Sequence, residues 1–520
     1  PLKREDGSWA KSDKQKAEFF AVHLTEVFQP HKFDRHEEED EICQYLDVPS
    51  QLEPPLKKCT LSELSSLISK ELNPKKAPGY DLIGGKILKE LPRIGVKFIT
   101  QIFNAILRTG YFPSQWKVAE IIMVQKPGKP PVEAKSYRPI SLLPIVAKLF
   151  EKMLLKRLKP LLEEKQLLPD HQFGFRRQHA TVEQVHRLAA EIHKNFEKKK
   201  YCTAAFIDIS QAFDKVWHTG LLYKLKKALP GSMYLVLKSY LTDRHFYVKL
   251  REEYTKICPI QAGIPQGSVL GPVLYLLYTA DLPTNANTTT GTFADDTAVL
   301  AAHEEPAVAS DTLQDSLNKM ESWFKKWKIK VNESKSVQVT FTLRRDTCPP
   351  VKLNNQQIPQ SDDTKYLGIH LDRRLTWQKH IFTKRKQLGL KLSKLHWLIG
   401  RNSKLTLENK LLIYKTILKP VWTYGIQLWG SASTSNIEIL ERFQSKILRM
   451  ITDAPWFVPN EVIQRDLRVP TVKEEVKNFS KTYYLRLCAH PNRLVEKLKI
   501  GDYSKDRLKR RNINDWLNRL

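Results

Sequence analysis

Residues 201–209 read Tyr-Cys-Thr-Ala-Ala-Phe-Ile-Asp-Ile, a β-prone run with almost no polar alternation. That pattern belongs to a strand buried on both faces, not to one with a wet side. The run also holds a carboxylate, Asp208. Burying a carboxylate costs several kcal/mol unless a cation or hydrogen bonds compensate it, so its placement asks for a partner.

A second β-prone segment, 292–301, reads Thr-Phe-Ala-Asp-Asp-Thr-Ala-Val-Leu-Ala and is interrupted by the adjacent acids Asp295 and Asp296. A tight hairpin presents such a pair at its tip, beside the end of a neighbouring strand. Three carboxylates gathered there without an intervening Lys or Arg repel one another, so the cluster is stable mainly with Mg²⁺ or Mn²⁺ bound. Two hard cations ~3.5–4 Å apart polarise a phosphoryl centre and activate an attacking hydroxyl, which is nucleotidyl-transfer chemistry. An Asp pair alone is more often an ordinary solvated turn, and the reading depends on what accompanies it.

The charge points the same way. Lys and Arg number 85 against 56 Asp and Glu, a net charge of +29 over 520 residues. Such an excess repels itself unless a polyanion sits against it, and nucleic acid is the first candidate. A membrane surface ranks well below, because the basic residues are spread along the chain and do not line one amphipathic helix. No run approaches the ~18–20 apolar residues of a membrane span. The six cysteines, Cys43, Cys59, Cys202, Cys258, Cys348 and Cys488, have no zinc spacing and read as scattered reduced thiols. With 41% hydrophobic residues the chain folds as a globular protein of two to four domains or subdomains.

Segment 1–54 contains a helical stretch over 14–28, an acidic cluster at 37–41 and Pro54-Pro55, and reads as a lead-in or linker. Helical spacing recurs over 61–72, 96–108, 146–162, 181–198 and 313–328. An apolar strand over 119–124 runs into the Pro/Gly/Lys loop 125–131 and then Ser136-Tyr137-Arg138-Pro139, which suggests a hairpin with cations at its tip. Further strands are predicted over 337–343 and 365–371, and basic helices over 384–398 and 404–418. Trp422, Tyr424 and Trp429 read as core, with stacking on bases as the alternative.

The run Ala205-Phe206-Ile207-Asp208-Ile209-Ser210-Gln211-Ala212-Phe213-Asp214 and the run Thr292-Phe293-Ala294-Asp295-Asp296-Thr297 resemble motifs A and C of reverse transcriptases, in wording similar to non-LTR retrotransposons of the insect jockey type. Between them, Gln261-Ala262-Gly263-Ile264-Pro265-Gln266-Gly267-Ser268-Val269-Leu270-Gly271-Pro272 resembles motif B, in the family's order.

The resemblance implies a right-hand α+β polymerase with fingers, a palm whose antiparallel sheet carries the acids, and a helical thumb. The expected layout is 1–54 lead-in, 55–200 N-terminal extension and fingers, 201–375 palm with part of the fingers interleaved, 376–455 thumb and 456–520 basic C-terminal segment. By resemblance, Asp208, Asp295 and Asp296 hold two Mg²⁺ or Mn²⁺ ions, Phe213 is the ring that excludes a 2′-hydroxyl, and Gln266 touches the incoming nucleotide. Lys126 and Arg138 match residues that hold the triphosphate. Lys335 matches a lysine that protonates departing pyrophosphate, and Tyr366-Leu367-Gly368 match the primer grip. The loop 75–81 resembles a template-contacting region, and 505–511 a localisation or RNA-binding patch. Without the motifs, the simpler readings are a surface lysine, a core phenylalanine and a solvated basic loop.

The implied activity is RNA-directed DNA synthesis in target-primed reverse transcription. Its partners are an RNA template, a DNA primer or target and dNTPs, with no membrane. A nuclear and cytoplasmic ribonucleoprotein and a nicking endonuclease module upstream of Pro1 are expected with it. The rivals are a group II intron-type or domesticated reverse transcriptase, and a non-catalytic RNA-binding scaffold; the intact acids, Phe213 and Gln266 argue against the last.

Overall fold

The computed structural model describes residues 1–4, 6–33, 36–49, 55–499 and 507–508. Its packing divides into two units. One comprises Pro1–Pro169, Ile209–Pro283 and Met320–Val331; the other comprises Asp170–Asp208, Thr284–Lys319 and the chain from Asn332 onward.

The second unit is built around the strand predicted from its apolar run. Tyr201–Ile207 is buried at every position and lies in the middle of a five-stranded sheet. Asp296–His303 pairs with one edge and Val337–Phe341 with the other, both antiparallel. Thr288–Phe293 extends the first side antiparallel, whereas Gln360–Ser361 adds a short parallel strand on the far side. The expected antiparallel sheet is therefore antiparallel except at one edge.

Helix Thr181–Glu197 covers one face. Its Val185, Leu188, Ile192 and Phe196 fall at helical spacing and join Phe206, Ala298, Leu300 and Val339 in one core. Each such side chain contributes roughly 1.5–3 kcal/mol relative to exposure. The same core continues into helices Gln378–Ile399, Thr434–Thr452 and Val472–Cys488 through Trp422, Trp429, Leu440 and Tyr483. Trp422 and Trp429 are thus core residues, and Ile463, Val476 and Leu487, beyond 456, join the same core.

The first unit carries its own sheet, ordered Tyr137–Leu142, Val118–Gln125, Arg244–Leu250 and Glu253–Tyr254, with Cys258–Ile260 also paired to Arg244–Leu250. The predicted hairpin of 119–124 and 137–139 is its edge. Helix Asp13–Val27 starts at a Ser12 cap whose side chain accepts the Gln15 N–H, while Gln15 reaches back to the Ser12 N–H. Its Phe20, Leu24 and Val27 pack on Ile121, Phe246 and Val248. Segment 1–54 is therefore not a bare linker: this helix is part of a core, and the acidic cluster lies in helix His36–Asp47. The strand Arg244–Leu250 and the helices His218–Ala228 and Gly231–Leu241 had no sequence prediction.

Candidate active site

The central strand ends at Ile207, so Asp208 is the first residue beyond it and its side chain is 45% exposed. The sequence placed this carboxylate inside the buried strand; the fold instead releases it at the strand's mouth, avoiding the desolvation cost. Its main chain is fixed there. Asp208 N–H donates to Ser336 Oγ at 3.1 Å, and its carbonyl accepts the Asn332 N–H at 2.8 Å.

Thr297 lies opposite Ile207 and Asp296 opposite Phe293, so the acidic pair turns over at the same end of the sheet as Asp208. The hairpin is as tight as predicted, with Ala294 in the left-handed region at φ 57°. Partial enclosure, then Asp295, then Asp208 push the Asp296 carboxyl up to about 6. Lys335 Nζ stands 3.7 Å from Asp208 Oδ2. As the side chains stand, no group of three His, Cys, Asp or Glu among the described residues is close enough to hold one ion. The backbones converge at this sheet end, and the Asp208 carboxylate faces the Lys335 ammonium. An enclosed Asp296 carboxyl with two further carboxylates beside it is short of positive charge, and such a donor set fits a hard divalent cation.

The acidic turn is held from the side by residues that the sequence did not single out. Gln172 Oε1 accepts the N–H of Ala294 at 2.9 Å and that of Gly174 at 2.8 Å. Gly174 passes so close that a Cβ there would lie 2.2 Å from Ala294 N. Gln184 Nε2 donates to the Thr292 carbonyl at 3.2 Å, and Arg187 donates to that of Thr290 at 3.3 Å. The exposed backbone of strand Thr288–Phe293 is thereby satisfied by side chains and by the bridge Gln172↔Thr292. The only sequence hint was a glycine between aromatics, Phe173-Gly174-Phe175.

Tyr366, Leu367 and Gly368 form the end of the hairpin Asp363–Tyr366 and Ile369–Asp372. Leu367 and Gly368 both have positive φ, at 47° and 80°. Tyr424 Oη donates to the Leu367 carbonyl at 2.7 Å. Tyr366 is buried, its ring 5.3 Å from that of Phe206.

The first unit gathers a second set. Phe213 stacks on Tyr275, centroids 4.5 Å apart at 24°. Its carbonyl accepts the Ile264 N–H at 2.8 Å. Gln266 Nε2 donates to Asp214 Oδ1 at 2.7 Å. Burial pushes Asp214 up to about 6, against the pull of Gln266, Lys126 and Lys215. Asp214 stood in the motif A run without an assigned role. Gly263 has φ 93° and its Cβ would meet the Asp214 carbonyl at 2.5 Å, so the glycine is required by close approach.

Lys126 Nζ donates to the Lys135 carbonyl at 2.8 Å, and Arg138 is exposed on the paired strand, opposite Val124. In the loop 75–81, Tyr80 Oη donates to the Gln115 carbonyl at 2.7 Å. The patch 505–511 lies outside the described residues except for 507–508. The structure thus brings Asp208, Asp295, Asp296 and Lys335 to one sheet end in the second unit, which also holds the Tyr366 hairpin. It brings Phe213 and Gln266 together in the first.

No helix among the described residues is long and apolar enough to cross a membrane. Residues 124–371 match the family described as reverse transcriptase (RNA-dependent DNA polymerase). The whole chain is 43% identical to the probable RNA-directed DNA polymerase from transposon X-element of Drosophila melanogaster, covering 58% of that protein. Over 96% of the chain it is 41% identical to the RNA-directed DNA polymerase from mobile element jockey of the same organism, covering 55% of it. The chain spans a little over half the length of these relatives. With its motifs in the family's order, and with likeness along the full chain, the chain belongs to the reverse transcriptase family, in the group carried by non-LTR retrotransposons of the jockey kind.

Proposed function

We propose that this chain is the RNA-directed DNA polymerase of a non-LTR retrotransposon, catalysing attack of a primer 3′-hydroxyl on the α-phosphate of a dNTP with release of pyrophosphate. The observation that carries the reading is the convergence of Asp208, Asp295 and Asp296 at one end of one sheet. Mg²⁺ or Mn²⁺ ions held by these carboxylates would supply the positive charge that activates the hydroxyl and steadies the phosphoryl group.

The other residues take roles around that chemistry. Lys335, already 3.7 Å from Asp208, supplies a proton to the leaving pyrophosphate. Lys126 and Arg138 hold the triphosphate, Gln266 meets the incoming nucleotide, and the Phe213 ring excludes the 2′-hydroxyl. The Leu367-Gly368 turn, pinned by Tyr424, holds the primer end. In this reading the sheet around Tyr201–Ile207 is the palm, the hairpin of Val118–Gln125 and Tyr137–Leu142 belongs to the fingers, and the helices from Gln378 onward are the thumb. An RNA template, a DNA primer or target, a nicking endonuclease module and a nuclear and cytoplasmic ribonucleoprotein complete it.

The test is primer extension on an RNA template with Mg²⁺, comparing the wild type with Asp208→Asn and Asp295→Asn. Incorporation falls by several orders of magnitude in both variants while RNA binding persists. Retained synthesis in either variant overturns the assignment.

A further inference from the structure

The second unit has a basic cleft, on helices that the polymerase reading places in the thumb, to which that reading assigns no ligand. Its volume is about 1010 Å³, enough for a nucleotide-sized group. One wall is the last turn of helix Gln378–Ile399, with His396 and Trp397; the other is helix Thr434–Thr452, with Arg442, Lys446 and Arg449. Arg442, Lys446 and Arg449 recur at helical spacing, so one face of that helix presents all three cations.

These cations have different employment. Arg449 is a fastener: it donates to Asn460 Oδ1 at 2.9 Å, to the Pro455 carbonyl at 2.8 Å and to the Val458 carbonyl. Arg401, at the cleft's end, is paired with Asp453 at 2.8 Å. Arg442 and Lys446 are exposed and meet no acid among the described residues. On the first wall Trp397 stands 74% exposed, and the loop that Arg449 fastens carries Trp456 and Phe457, 89% and 67% exposed.

A large ring, Trp397, left in water in the cleft that the unpaired Arg442 and Lys446 also line calls for a partner that is apolar on its faces and anionic along its backbone. We infer that this cleft binds single-stranded nucleic acid, stacking a base on Trp397 and holding the adjoining phosphates on Arg442 and Lys446. Duplex fits poorly, because its bases are already stacked on each other and offer the indole no face. A protein partner is disfavoured because it would have to bring a carboxylate to both Arg442 and Lys446, whereas a nucleic-acid backbone carries an anion at every residue.

The test uses the full chain saturated with a primed RNA–DNA hairpin, which fills the proposed polymerase cleft, and titrates it with a fluorescent oligouridylate, an abasic oligomer of equal length and an RNA duplex. Trp397→Ala weakens oligouridylate binding roughly tenfold or more, Trp397→Phe restores most of it, and binding of the abasic oligomer is unchanged by either. Arg442→Gln combined with Lys446→Gln lowers the salt dependence of oligouridylate binding by about 0.7 in log–log slope for each lost phosphate contact. All three side chains are exposed, and thermal melting checks that the variants stay folded. Oligouridylate affinity and salt slope unchanged in these variants overturn the inference. So does a duplex that binds as tightly and loses as much with Trp397→Ala. Asp208→Asn, which removes synthesis in the polymerase reading, keeps wild-type oligouridylate binding, so failure here is separable from failure of that reading.

Discussion

The side-chain carbonyl of Gln172 accepts the backbone N–H of Ala294, 2.9 Å away, at the turn that presents Asp295 and Asp296. Ala294 sits in the left-handed region, where a residue with a Cβ pays roughly 1–2 kcal/mol. The amide of Gln172 offsets that strain and sets where the acids point. Gln172→Ala leaves a buried N–H unsatisfied, which costs roughly 1–3 kcal/mol, and frees the turn to relax. A misplacement on the order of 1 Å lowers reaction rates by about 10²-fold. Single-turnover primer extension should therefore slow by that order, with a smaller change in the dNTP concentration for half-maximal rate. An unchanged single-turnover rate would show that the turn holds itself.

Gly174 tests the same contact from the other partner. A Cβ at 174 would stand 2.2 Å from Ala294 N and 2.9 Å from its Cα, backbone atoms that cannot swing aside. Gly174→Ala should destabilise the protein by roughly 1–3 kcal/mol in urea melts, the usual range for overpacking, and should lower incorporation at least as much as Gln172→Ala. Wild-type stability in this variant would contradict the packing.

The acid cluster predicts a pH-dependent stability. The Asp296 carboxyl is pushed up to about 6 from its ordinary 3.8. A raised acid favours the folded state below the unfolded value and loses that contribution as pH rises through the folded one. Without divalent metal the wild type should therefore lose stability between about pH 4 and pH 6, and Asp296→Asn should be the more stable protein near neutrality. The side chain is reached by solvent, so the gain is discounted to about 1 kcal/mol, a rise of about 1–2 °C in Tm for a chain of this length. Adding Mg²⁺ should stabilise the wild type and shrink the gap. Thermal melts at about pH 5 and near neutrality, with and without Mg²⁺, decide it; a variant no more stable than wild type in metal-free neutral buffer removes the account of a carboxyl raised by enclosure and by its acidic neighbours.

The elements that announced themselves in the sequence are those whose pattern needs no distant partner. The run 201–207 reads as a doubly covered strand because all its residues are buried. The acidic turn reads as a tip because it interrupts a β-prone stretch. Gln172 was illegible because its role is a contact across 122 positions, to Ala294, and a lone glutamine in a loop carries no periodicity. The helix Asp13–Val27 was visible, but the core it joins, through Phe246 and Val248, lies far along the chain and was not. Asp208 was misplaced by one structural step: composition cannot tell a strand's last buried residue from the first one past its end. Pairing of Gln266 with Asp214 joins two motifs that the sequence could only order.

Phe213 offers the sharpest test of substrate choice. Its ring lies nearly parallel to Tyr275, 4.5 Å away, and its carbonyl is tied to Ile264 N–H at 2.8 Å. Tyr275 is itself buried in helix Gly271–Tyr278, so the phenyl ring is held from behind and has little freedom to withdraw from a bulkier sugar. Removing the ring should therefore relax selection against a 2′-hydroxyl without loss of dNTP use. Phe213→Ala should lower the preference for dNTP over rNTP by roughly ten- to two-hundredfold, the range a shape-selecting pocket supplies. Tyr275→Ala should give a smaller relaxation, because it loosens the ring without deleting it. Competition of dNTP and rNTP in primer extension measures both, and a ratio unchanged in Phe213→Ala would show that discrimination resides elsewhere.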